Sequence, residues 1–231
     1  MIPFPIEQLP LPLVGMILGL IDGALNPCAL SVLFFLVAYL LAIGSRKKCL
    51  VLGLIYSFMV FMVYFLFMYG FLNLLFLIGY SRIVKIAIGA ILILASLLEM
   101  KDFFFYGKWL SLEIPKSAKP KIESFIKKAT IPSTLILGFL VALVEIPCAG
   151  AFPLAYLAMI SSKTGIEAAF YIFVYNIFFI LPLVCLTVVF YFGFVKIEKA
   201  EKTRLKLRRH MRLIAGLVLL ILGLAFLLGW F

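Results

Sequence analysis

Residues 11–44 read LPLVGMILGLIDGALNPCALSVLFFLVAYLLAIG. As one unbroken helix this stretch would be about 50 Å long, well beyond the roughly 30 Å of a bilayer's hydrocarbon core. Asn26-Pro27-Cys28 falls close to its middle. A proline there removes a backbone hydrogen bond and crowds the preceding turn, so the helix is expected to break. The residue before a proline is pushed away from helical geometry, so Asn26 should leave the helix. Asn26 is also a good cap for a helix restarting at Pro27, where a missing N–H costs nothing.

Five more apolar runs follow, at 50–78, 83–98, 131–160, 166–193 and 213–231. Hydrophobic residues make up 66% of the 231-residue chain. A soluble core cannot hide that much apolar surface, so lipid is the expected solvent. The runs are continuous rather than short and alternating, which favours helices over a barrel. The run at 83–98 is the shortest and needs a flanking turn to span. The first run has no basic segment before it and is too long for a signal-peptide core. It is expected to remain as a helix of the mature protein.

The second half echoes the first. Asn26-Pro27-Cys28-Ala29 matches Ile146-Pro147-Cys148-Ala149, and Ala38-Tyr39-Leu40 has a looser echo in Ala155-Tyr156-Leu157. Tyr56-Ser57-Phe58 parallels Tyr175-Asn176-Ile177, and Lys85 with Gly89 parallels Arg212 with Gly216. Several matches in one order point to a duplication. Three crossings per half is an odd number, so the second half must enter the membrane from the opposite side. The expected fold is an all-α polytopic membrane protein of six transmembrane helices, arranged as two inverted three-helix repeats. The first helix of each repeat is broken at Pro-Cys. The chain forms one transmembrane domain, 1–231, with repeats at 11–99 and 131–231 and a cytoplasmic linker at 100–130. Within the linker, Ile122, Phe125, Ile126 and Ala129 share one helical face. That segment is either a short interfacial helix or a plain solvated linker.

The net charge of +11 is unevenly placed. Arg46, Lys47 and Lys48 lie in the first connection, seven lysines between 101 and 128 in the third, and eight basic residues from 196 to 212 in the fifth. The opposite side carries only Arg82, Lys85 and Lys163. By the positive-inside rule the odd connections are cytoplasmic and both termini extracytoplasmic, in an inner or plasma membrane. No soluble module exists to carry nucleic acid. His210 sits among the basic residues of the fifth connection and reads as solvated.

Cys28 and Cys148 each follow a helix-breaking proline, and each is expected in the first turn of a half-helix. Free N–H groups and the positive end of the helix dipole favour a thiolate there, while burial in lipid opposes it. Two such cysteines form a complete two-electron carrier, with no metal or organic cofactor required. A zinc site is disfavoured by the spacing and by the lack of nearby histidine. Cys49 and Cys185 have no counterpart in the other half and read as bystanders. Asp22 and Glu145 are candidates for a proton role, since ionisable groups inside a membrane are functional candidates by default. For Asp22 the plainer alternative is a carboxylate at the extracytoplasmic interface or in a cavity. Glu99 reads as interfacial, near the third connection. Tyr56, Tyr175 and Asn176 read as core packing residues able to offer hydrogen bonds.

At Asn26-Pro27-Cys28-Ala29-Leu30 and Ile146-Pro147-Cys148-Ala149-Gly150 the chain resembles the cytochrome c biogenesis protein CcdA and, more broadly, the transmembrane domain of the thiol–disulfide interchange protein DsbD. The isolated length fits CcdA better. The resemblance implies thiol–disulfide oxidoreductase activity as an electron transporter. Reducing equivalents would pass from cytoplasmic thioredoxin through a Cys28–Cys148 redox pair to an extracytoplasmic thioredoxin-like acceptor or the apocytochrome c pathway. It carries the helix-breaking prolines onto Pro27 and Pro147. Pro153 follows Cys148 as in that family, whereas Ser31 and Phe34 stand where many members have prolines. The competing expectation is an alternating-access solute or ion exporter, in which Asp22 and Glu145 bind a proton or cation and the cysteines are incidental. A quinone-linked thiol oxidase is a third reading, disfavoured by cysteines so deep in the membrane.

Overall fold

The computed structural model describes residues 10–25, 27–42, 45–78, 82–104, 119–149, 151–193 and 197–228. Among these residues the chain is all-helical. The elements are α1 (Leu11–Leu25), α2 (Pro27–Ala42), α3 (Arg46–Ile78), α4 (Arg82–Phe104), α5 (Lys119–Lys128), α6 (Ile131–Ala149), α7 (Ala151–Met159), α8 (Gly165–Phe192) and α9 (Ile197–Leu227).

The outside of the bundle is apolar. Leu66 is 65% exposed and Leu94 61%, and Phe35, Phe58, Phe170, Leu217 and Ile221 also face outward. The inside holds Asp22, Asn176, Thr187, Glu99 and Arg212. A water-soluble fold hides its large apolar side chains and leaves its charges wet. Here large apolar side chains cover the outside of an apolar core, and a few charged and polar groups are packed within it, as suits a helix bundle in lipid.

Two helical segments, Arg46–Leu74 and Gly165–Phe192, are long and apolar enough to cross a membrane alone. Leu11–Leu25, Val32–Leu41, Ile131–Leu143 and Arg212–Leu227 are shorter apolar segments. Among the described residues, the length of a full span is met by these two segments.

The break expected at Asn26 falls on a residue outside the described ones, flanked by α1 up to Leu25 and α2 from Pro27. In the second half no break falls at Ile146-Pro147: α6 is helical through Ile146, Pro147 and Cys148 to Ala149, although Pro147 removes one ladder hydrogen bond. The described residues resume with α7 at Ala151, and Pro153 in that helix is buried.

Packing directions follow from facing residues. Gly89 lies against Gly223, Ser96 donates to the Gly216 carbonyl, and Glu99 meets Arg212, so α4 and α9 run antiparallel. Gly53 lies against Thr187 and the Tyr64 ring stacks on Phe179, so α3 and α8 are also antiparallel. Gly19 lies against Tyr175 and Gly23 against Phe179, so α1 and α8 are parallel. Helix α3 additionally packs on α6, where Gly138 meets Met59 and the Tyr56 carbonyl.

The linker is partly a helix rather than plain solvated chain. In α5, Ile122 and Ile126 are buried while Glu123, Lys127 and Lys128 face out. The Tyr39 hydroxyl of α2 donates to the Lys127 carbonyl at 3.0 Å. Thr130 then starts α6: its hydroxyl accepts from the Ser133 N–H at 3.4 Å, and the Ser133 hydroxyl accepts from the Thr130 N–H at 3.1 Å. This is a reciprocal cap. At the far end of α8, Gly193 takes the left-handed conformation (φ 73°) and its N–H closes onto Phe190 and Val189. In the turn before α8, Lys163 bonds Glu167 at 2.7 Å, and that hydrogen bond holds the ammonium above the ordinary lysine value.

Candidate functional site

The polar interior has two parts. The first lies between α1, α7 and α8. Asp22 is 1% exposed, and the Tyr175 hydroxyl donates to its Oδ2 at 2.8 Å. The Tyr156 ring of α7 stacks on Tyr175, with centroids 5.2 Å apart and planes at 21°. The Tyr156 hydroxyl donates to the Leu11 carbonyl at 3.2 Å, tying α7 to the start of α1. Gly15, Gly19 and Gly23 form one stripe along α1. A Cβ at Gly19 would strike the Tyr175 carbonyl oxygen, and one at Gly23 the Phe179 carbonyl oxygen. The absence of side chains there lets the two backbones touch, the usual device for close helix contact in lipid.

On the next face of α8, the Asn176 Nδ2 donates to the Ile172 carbonyl at 2.8 Å and lies 3.3 Å from the Met68 sulfur of α3. Its Oδ1 has no hydrogen-bond partner among the described residues. Asp22 is thus an interior group bound to a phenol rather than an interfacial carboxylate. Tyr175, read from sequence as packing, is its partner.

The second part lies between α4 and α9. Glu99 and Arg212 are 4% and 1% exposed, and their closest charged atoms are 3.9 Å apart. Ser96, one turn from Glu99, donates to the Gly216 carbonyl at 2.8 Å. Two sequence expectations are corrected here. Glu99 is not interfacial, and Arg212 is not a residue of a solvated connection. Arg212 lies inside α9, on its packed face. The signal was present in the chain. Arg212 is the last basic residue before a long apolar run, and the matching position in the first half is another base, Lys85. The G-x-x-x-G-x-x-x-G pattern at 15–23 was equally legible.

Cys28 lies in α2 and Cys148 in α6, each beside a helix end that borders a residue outside the described ones. The side chains of Pro27, Cys28, Glu145, Pro147 and Cys148 lie outside the described residues. Cys49 is buried and free in the first turn of α3, and Cys185 is free and exposed on the outer face of α8. Among the described residues no group of three or more His, Cys, Asp or Glu side chains converges as a metal site. His210 is exposed, as expected.

A family model described as SfLAP, "Sap, sulfolipid-1-addressing protein", matches residues 16–230. The chain belongs to this family. No curated protein and no solved structure matches it. Membership of SfLAP, a membrane-protein family distinct from CcdA and DsbD, overturns the resemblance drawn from the two Pro-Cys segments. Transmembrane electron transport, a redox-active disulfide and a role in cytochrome c biogenesis fall with it, and no partner is carried over. The physical reason is that a proline inside an apolar run is a general way to divide a membrane helix.

Proposed function

We propose that this protein is a membrane exporter that moves an anionic amphipathic lipid of the sulfolipid class toward the outer face of the membrane. The match of the sulfolipid-addressing family model across residues 16–230 carries this reading. The apolar exterior fits a protein that works within lipid. Exposed Arg46, Lys47, Lys48, Lys127 and Lys128 stand at helix ends, where they complement an anionic headgroup.

The architecture is two inverted repeats of three helices, 11–99 and 131–231, joined by 100–130. The antiparallel packing of α3 on α8 and of α4 on α9 supports it, because a direct repeat would make those equivalent helices parallel. The basic connections face the cytoplasm and both termini lie outside. Reporter fusions after residue 110 and after residue 162 check this. The first should report cytoplasm and the second the opposite side, and two reports from one side would refute the inverted arrangement.

The exporter reading is tested in phosphatidylcholine vesicles that hold the full-length protein and a fluorescent sulfated glycolipid. A membrane-impermeant quencher reads the labelled lipid in the outer leaflet. The label should cross faster than in protein-free vesicles, and the Cys28→Ser/Cys148→Ser variant should match the wild type. Equal rates with and without the protein would refute export.

A further inference from the structure

We propose that Asp22 is a proton-binding site, gated by the contact of α1 with α8. It takes up and releases one proton as the two helices close and part. The use of that proton in transport rests on the exporter reading; the site itself does not.

Two observations carry the inference. Asp22 is 1% exposed, and its only partner among the described residues is the Tyr175 hydroxyl at 2.8 Å. A buried carboxylate without a cation is far costlier than its neutral acid. The seam covering it is also unusually close, with Gly19 and Gly23 against the backbone of Tyr175 and Phe179. Water reaches the carboxyl only when α1 moves off α8.

Among the described residues, the surrounding groups offer no substitute for a proton. Facing α1, α8 contributes Tyr175, while its Glu167 lies at the far helix end, bonded to Lys163 and Tyr171. Helix α7 contributes Tyr156, stacked on Tyr175. Helix α9 contributes Arg212, which faces Glu99 of α4. A bound metal cation needs several oxygen ligands, and among the described residues only the phenol oxygen is in place. A proton needs one. The balance is simple: the carboxylate gains a proton from water on one side and returns it to water on the other. The neutral acid retains the Tyr175 hydrogen bond at one oxygen.

The test is infrared spectroscopy of the full-length protein in phosphatidylcholine vesicles, titrated from acid to alkaline. A protonated-carboxyl C=O band is expected that shifts on transfer to deuterium oxide and fades in alkali. It should be missing in Asp22→Asn and displaced in Tyr175→Phe, which loses the hydrogen bond but keeps the ring. The proposal is overturned if Asp22→Asn removes no such band, because the group is then ionised. It is equally overturned if the band neither exchanges nor titrates, because the acid is then sealed and structural. The sulfated-lipid assay is independent of this result. A titrating band without lipid movement would sink the exporter reading and leave the proton site standing.

Discussion

Arg212→Ala should cost about 3–5 kcal/mol of stability, because it removes a cation held beside the buried Glu99 carboxylate. Both groups are almost wholly withdrawn from solvent and 3.9 Å apart, within a seam also held by Ser96 and Gly216. Glu99→Ala should be comparably severe, since it removes a carboxylate beside the buried guanidinium. The pair's worth is not the same as the cost of breaking it. Replacing both residues by apolar side chains of similar volume, Glu99→Leu with Arg212→Met, removes the desolvation cost together with the attraction. That double change should be near neutral or stabilising by up to about 4 kcal/mol. Arg212→Lys should fall between, because an ammonium replaces a planar fork that donates in several directions. Thermal unfolding in detergent reads all four variants. Single changes as mild as an exposed-surface substitution would show that the two charges are solvated in the working membrane protein.

This pair also marks how far the sequence could be read. The apolar runs and the amphipathic face of α5 follow from hydropathy, and both are found in the fold. Burial of Arg212 did not follow, because a basic residue at the end of a basic stretch looks the same whether it faces water or a neighbouring helix. Only the partner on α4, more than a hundred residues away in sequence, decides between them. The break expected at Ile146-Pro147 was misplaced for a different reason: a proline removes one ladder hydrogen bond, and α6 stays helical through it to Ala149.

The Pro-Cys repeat misled at the level of function. Its reading rested on two short Pro-Cys segments, whereas the family match extends over residues 16–230. Asp22 was legible as a candidate because a carboxylate in an apolar run is conspicuous. Its partner Tyr175 was not, because the contact joins helices 153 residues apart.

Gly23→Ala should destabilise the protein by about 1–3 kcal/mol, the usual cost of overpacking, although the same change normally favours a helix. The added methyl would meet the carbonyl oxygen of Phe179, a backbone atom that cannot swing aside. Gly19→Ala meets the Tyr175 carbonyl in the same way. The two sites are one helical turn apart on one seam, so their effects should not add. Once the first methyl has lifted α1 off α8, the second has less left to disturb. Gly70 supplies the contrast. It lies inside α3 with open space where its Cβ would be, so Gly70→Ala should stabilise by about 0.5–1 kcal/mol. Opposite signs for one substitution at two helical glycines would tie the α1–α8 seam to close contact rather than to helix propensity. The lifted seam should also expose Asp22. In Gly23→Ala, its carboxyl band should therefore exchange with deuterium oxide faster than in the wild type. A destabilised variant with unchanged exchange would mean that the stripe holds the helices together without gating the acid.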